Sequence, residues 1–153
     1  HFTPVDSTLI PTGELSPVNN TPFDFRTGKI VGDDIKNEHQ QMLFASGFDH
    51  HWVVDPSSDG GLRRMATLMD HESGRVLNVY STEPGLQFYA GNFLNDSGSG
   101  NGVVYRDHHG LCLETQHAPD SPNRPEFPST ILQPGETYRT RTVFAFSTLK
   151  KTP

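Results

Sequence analysis

The sequence predicts an all-β fold, an antiparallel sandwich or barrel, and three observations carry that expectation. Fourteen glycines and twelve prolines in 153 residues break the chain into short segments, because proline disrupts helix interiors and glycine permits tight turns. Between the breaks, apolar residues recur mostly at every second position, the period of a strand with one buried face. The strand-like runs follow one another through turn signals, with no helices alternating between them.

The chain opens HFTPVDSTLIPTGEL, without a methionine or a polar lead-in, as if entered in mid-strand. The expectation is that a front portion was removed or that this is a piece of something longer. KNEHQQMLFAS (36–46) lacks Gly and Pro and is the one region that argues for helix, roughly two or three turns. GFDHHWVV (47–54) alternates as a strand, and DPSSDGG (55–61) is a turn signal. RRMATLMD (63–70) and RVLNVYS (75–81) are strands joined by HESG (71–74), a hairpin turn in which Gly74 can take positive φ. The second of these puts Val76, Asn78 and Tyr80 opposite Leu77, Val79 and Ser81.

GLQFYAG (85–91) continues the pattern, and NDSGSGNG (95–102) reads as a mobile surface loop. In GLCLETQ (110–116), Leu111, Leu113 and Thr115 alternate with Cys112, Glu114 and Gln116, so the leucines are expected to face a core. Cys112, flanked by those leucines, is expected to be buried packing rather than a nucleophile. APDSPNRPEFPST (118–130) reads as a proline-rich connection laid extended against the body. QPGE (133–136) is a turn, and TVFAFST (142–148) sets Val143, Ala145 and Ser147 opposite Phe144 and Phe146. Neither an internal repeat nor a linker interrupts the chain, which is expected to form a single unit, residues 1–153.

The formal charge is −6, from 12 basic and 18 acidic residues. The basic residues are scattered, which excludes nucleic acid and anionic membrane as expected partners. No run approaches the roughly 18–20 apolar residues of a spanning helix. Cys112 is the only cysteine, so an internal disulfide is impossible. That fits a reducing compartment, and a cytoplasmic location is the expectation, with a secreted or periplasmic one left open.

Three polar residues sit in strand-like, apolar surroundings: Asp49, Gln87 and Glu114. Alternation puts Asp49 on one face with His51 and Val53, and Gln87 on one face with Tyr89. Carboxylates, an amide and an aromatic ring on a concave sheet suit a sugar: planar polar groups take paired hydroxyls, and the ring face stacks on C–H bonds. Solvent-facing carboxylates on strands are also common, and spacing alone does not separate the two readings. The eight histidines invite a metal, but His50–His51 and His108–His109 are adjacent pairs whose rings point to opposite faces of a strand. With no CxxC or HExxH spacing, no metal site is expected. A GxSxG elbow and a phosphate-cradling glycine loop are likewise absent from the sequence.

PVDSTLIPTGEL, TPFDFR, GFDHHWVV, SGRVLNVYSTEPGLQFYAGNFL and GLCLETQHAPDSPNRPEFPSTILQPGETYRTRTVFAF together span nearly the whole chain. In this order they resemble the aldose 1-epimerase (galactose mutarotase) family. The resemblance implies a large antiparallel β-sandwich with a wide active-site cleft, and the interconversion of α and β anomers of a free hexose without a cofactor. It implies that Glu114 is the base on the anomeric hydroxyl. The aspartate of the family's GFDH motif falls on Asp49 and its PGxQ glutamine on Gln87, both holding sugar hydroxyls, with Tyr89 beside them.

Family members are much longer, and this chain resembles their C-terminal half. The family's proton-donating histidine, an arginine and a second histidine belong to the part before it, and His1 does not match the acid. The front half of the sandwich is therefore expected from a separate polypeptide, from a segment cleaved off, or from a second copy of the chain. The alternative function is a non-catalytic carbohydrate-binding module.

Overall fold

Nine strands and two short helices follow one another among the residues that the computed structural model describes, 1–56, 61–96 and 98–149. In order they are β1 (Phe2–Thr3), α1 (Val31–Asp34), α2 (Gln40–Ala45), β2 (Asp49–Val53), β3 (Arg63–Met69), β4 (Arg75–Ser81) and β5 (Gly85–Tyr89). Then come β6 (Ser99–Gly100), β7 (Val103–Val104), β8 (Cys112–Gln116), a 3-10 turn at Ser121–Asn123, and β9 (Thr142–Thr148). Every strand pairing is antiparallel: a four-stranded sheet in the order β1-β2-β5-β8, a three-stranded sheet β3-β4-β9, and the small ladder β6-β7. No helix among the described residues is long and apolar enough to cross a membrane.

The four-stranded sheet owes its stability to one face. Phe2, Trp52, Phe88 and Leu113 stand on that face and meet Phe23, Phe25, Met42 and Phe48 from the segment that carries the helices. Phe2 and Phe23 stack with centroids 4.1 Å apart, Phe48 and Phe88 with centroids 5.3 Å apart, and Phe25 packs edge-on against Phe48 and Phe88. The Trp52 indole N–H donates to the Phe23 carbonyl at 2.9 Å, so the ring is buried without leaving its polar edge unpaired. Burying each phenylalanine side chain is worth about 1.5–3 kcal/mol, and this cluster holds β1, β2, β5 and β8 to the helical segment.

The helix expected at 36–46 is shorter than its composition suggests. The Asn37 side chain accepts from the His39 backbone N–H at 2.9 Å, a local bond that competes with helix. His39 then caps α2 by accepting from the Gln41 N–H. The helix ends at Ser46, in the left-handed region, where the Gly47 N–H closes on the Met42 carbonyl.

Four further expectations need correction. The loop expected at 95–102 contains a short strand: Asn101 and Gly102, both at positive φ, turn β6 into β7 as Asn-Gly turns do, residue 97 lying outside the described residues. The 118–130 connection does lie against the body, burying Ala118, Ser121 and Phe127, but it is turned rather than extended. Leu111 is exposed, because β8 begins only at Cys112 and the residues before it form a solvent-facing loop. Cys112 is exposed too, since β8 is an edge strand and its even-numbered residues stand on the open face. Of the turn expected at 55–61, residues 57–60 lie outside the described residues.

In the three-stranded sheet the register pairs Ala66 with Val79, Leu68 with Leu77, Leu77 with Phe146 and Val79 with Phe144. These residues share one apolar face. Val79 is buried, but Phe144 and Phe146 on the edge strand β9 are exposed, Phe146 to 79%.

Phe48→Ala is expected to lower stability by about 3–5 kcal/mol in urea denaturation, and Phe146→Ala by less than about 0.5 kcal/mol. The two substitutions remove the same atoms, and burial alone separates them. The buried His50 and His51 give a second expectation. Burial pushes both rings down from 6.5 to about 4, aided for His50 by the charge of His39, and for His51 by that of His117 against an opposing bond to the Gln116 carbonyl. Folded histidines therefore stay neutral where unfolded ones take up protons. Stability is full above 6.5 and falls as pH drops through 6.5 toward 4. Urea midpoints measured between pH 4 and 8 check this, and a flat profile contradicts it.

Candidate active site

The pleat that sends aromatic residues inward sends the intervening residues of β2, β5 and β8 to the opposite face. Directly paired residues of an antiparallel sheet share a face, about 4.5–5.5 Å apart. Two rows result. His51 pairs with Gln87, which pairs with Glu114; Asp49 pairs with Tyr89, which pairs with Cys112. The three polar residues singled out in the sequence thus stand together on three neighbouring strands, with Tyr89 among them.

Gln87 Nε2 donates to Asp49 Oδ1 at 2.7 Å, a diagonal bond across the β2–β5 pair. This fixes the amide's orientation. Gln87 Oε1 has no hydrogen-bond partner among the described residues. Burial pushes the Asp49 carboxyl up, against the opposing bond from Gln87. Glu114 is exposed on the same face, on the edge strand. Burial and the neighbouring Glu114 and Asp49 carboxylates push the Cys112 thiol up, so it stays a thiol rather than a nucleophilic thiolate.

An open hollow of about 350 Å³ is lined by Asp49, Gln87, Tyr89, Phe93, Glu114 and Gln116, together with Pro119. That volume lies at the lower end of ligand sites, about 300–1,000 Å³. A smaller recess of about 150 Å³ adjoins it, sharing Asp49, Gln87 and Pro119. The Tyr89 and Phe93 rings stack at 6.3 Å, and the Phe93 backbone N–H donates to the Tyr89 hydroxyl, making an aromatic wall. Among the described residues, no group of three or more His, Cys, Asp or Glu is placed to hold a metal ion.

The floor of the site depends on a glycine. The His51 ring, only 3% exposed, lies between Thr3 Oγ1 and the Gln116 carbonyl. A Cβ at Gly85 would fall 2.1 Å from His51 Nε2, so the imidazole occupies the space that any other residue would need.

Phe93, Gln116 and Pro119 were not among the residues expected at the site. Gln116 carries a usable signal, since it alternates onto the face of Glu114. Phe93 and Pro119 come from irregular segments, where no period reports direction.

Comparison with known proteins places this arrangement. Residues 1–145 match the family model described as Aldose 1-epimerase. The chain is 47% identical over 148 residues to galactose mutarotase of Homo sapiens, covering 95% of this chain and 41% of that protein. It is 38% identical over 147 residues to aldose 1-epimerase of Escherichia coli (strain K12), covering 95% and 42%. Among solved structures, the GalM/aldose epimerase homologue from C. elegans superposes with a TM-score of 0.84 at 30% identity, covering 97% of this chain and 43% of that one. Galactose 1-epimerase from Lactobacillus acidophilus superposes with a TM-score of 0.77 at 28% identity, covering 96% and 41%. The antiparallel sheets described above are thus part of the aldose epimerase β-sandwich. The chain spans about two fifths of the length of the curated relatives it matches.

Gly85→Ala is expected to displace the His51 ring and to cost about 1–3 kcal/mol, as overpacking does. Urea denaturation reads the cost, and the imidazole proton resonances of His51 read the displacement.

Proposed function

The chain belongs to the aldose 1-epimerase family, and on that premise we propose that residues 1–153 act as one unit carrying the base side of a mutarotase site. The reaction is the interconversion of the α and β anomers of a free hexose such as galactose or glucose. What supports this reading best is the convergence of Asp49, Gln87 and Glu114 on one hollow, tied by the Gln87–Asp49 bond.

Glu114 takes the proton of the anomeric hydroxyl as general base. The bond between the anomeric carbon and the ring oxygen breaks as a general acid protonates that oxygen, which leaves an open-chain aldehyde. Rotation about the adjacent carbon–carbon bond presents the other face of the carbonyl. Reclosure takes the proton back from the ring hydroxyl and returns one to the new anomeric oxygen, so that acid and base end as they began. Asp49 and Gln87 hold the remaining hydroxyls while the ring is open, and Tyr89 offers its ring to the C–H face of the sugar.

The acid in this reading is a histidine of the family's preceding segment, supplied by a companion polypeptide or by a segment cleaved from the same chain. A second copy of the chain could complete the sandwich but would bring no such histidine. Phe144 and Phe146 present an apolar sheet face to solvent, which further strands of the family's sandwich would cover.

Polarimetry on freshly dissolved α-galactose and α-glucose tests the reading, with the chain alone and with a front-half polypeptide added. Accelerated mutarotation is expected in the completed protein, and Glu114→Gln is expected to lower kcat by about 10²–10⁴-fold. Full activity in Glu114→Gln would overturn the assignment of the base. Saturable hexose binding weakened by Asp49→Ala, with no acceleration under either condition, would make the chain a carbohydrate-binding module instead.

A further inference from the structure

Glu114 sits on β8, which among the described residues has one hydrogen-bonded neighbour strand, β5. A general base must hold its position to a fraction of an ångström, since a displacement of about 1 Å can cost on the order of 10²-fold in rate. Side chains on the back of β8 tie it to the rest of the molecule.

By strand parity, Thr115 points away from the hollow into which Glu114 and Gln116 face, and His117 follows directly after the strand and does not line that hollow. Both are tied to the three-stranded sheet or to its connection with β5. Thr115 Oγ1 lies 2.7 Å from Thr142 Oγ1 at the start of β9, and Thr142 Oγ1 lies 3.1 Å from Ser81 Oγ at the end of β4. His117 Nδ1 lies 2.9 Å from Glu83 Oε2, in the short connection from β4 to β5.

Glu83 is only 4% exposed. Burial pushes its carboxyl up, but hydrogen bonds from Thr140 and Tyr138 and the His117 ring outweigh that and hold it below the usual glutamate range. An ionised carboxylate only accepts, so His117 Nδ1 carries the hydrogen and donates, as does the Tyr138 hydroxyl to Glu83 Oε1. The Glu83 backbone is held as well: its N–H donates to Ser81 Oγ, and its carbonyl accepts from the Arg63 guanidinium. Glu83 is thus a rigid acceptor joined to both sheets. A buried carboxylate is costly unless fully bonded, and a surface turn between two strands does not require one.

We propose that Glu83 and His117 are positioning residues, which fix the end of β8 from behind and so hold the Glu114 carboxylate at its place in the hollow. This inference rests on Glu114 acting as the base. Neither residue faces the hollow, so neither touches substrate.

Two isosteric replacements test it. Asn places its side-chain N–H where His117 Nδ1 stands, whereas Gln places it near Nε2. Amide hydrogen exchange on the full chain reads the strand directly and needs no turnover. His117→Gln is expected to speed exchange of the Leu113–Gln116 amides about tenfold while the β2 amides stay within about twofold, and His117→Asn to leave both near wild type. In the completed enzyme, His117→Gln is expected to lower kcat about tenfold with KM changed less than about twofold, and His117→Asn to restore most of it. Equal exchange in the two variants overturns the proposal, and so does an equal kcat. If the completed wild-type protein shows no mutarotation, the functional reading falls, whereas the exchange contrast still decides whether the pair fixes the strand.

Discussion

The aromatic packing of Phe2, Phe23, Phe48 and Phe88 against one face of the four-stranded sheet constrains almost everything else in the molecule. A strand has two faces, and once one is committed to that cluster the other must take whatever alternates with it. Asp49, Gln87, Tyr89 and Glu114 therefore share the open face because His50, Phe88 and Leu113 share the closed one. A slip of one residue would bury Asp49 and expose Trp52 in β2, bury Gln87 and expose Phe88 in β5, or bury Glu114 and expose Leu113 in β8. The register of the proposed site is thus held by the cost of breaking the core, and the polar residues need contribute little to it themselves.

Within the open face, the polar groups are sorted by depth. His51 is buried, neutral and seated over Gly85; Asp49 and Gln87 are half-buried and bonded to each other; Glu114 is exposed at the sheet edge. The gradient suits a reaction in which hydroxyls are gripped by fixed groups while a more accessible carboxylate exchanges protons. The Asp49–Gln87 bond commits the amide's N–H to the carboxylate and leaves its oxygen without a protein partner among the described residues.

The two larger sheets meet along a polar seam. Thr115, Thr142, Ser81 and Glu83 form a chain of hydrogen bonds between them, with His117 and Tyr138 closing on the Glu83 carboxylate. Directional bonds of this kind specify one relative placement of the strands they join more sharply than apolar contact does. The cost lies in Glu83, a buried charge that needs every one of its donors. Away from the seam, the apolar face of the three-stranded sheet ends at Phe144 and Phe146 in solvent.

Strand positions were legible in the sequence because alternation and turn chemistry act over a few residues: the 75–81 and 142–148 strands, the Gly74 turn and the facing of Glu114 away from Leu113 all follow from local rules. The resemblance added roles for Asp49, Gln87 and Glu114, which spacing alone left open between a pocket and a wet surface. Local rules erred where context outweighed them. Leu111 and Cys112 read as core because their neighbours are apolar, but β8 lies at a sheet edge and starts one residue later. The 95–102 segment read as a loop throughout from its composition, although Asn101-Gly102 turns β6 into β7. Only the tertiary structure decided that β2, β5 and β8 are neighbours, which brings residues 49, 87 and 114 together. It alone placed Phe93 beside Tyr89 and Glu83 beside His117, since long-range strand pairing is chosen by the burial of the whole core and leaves no period in any one segment.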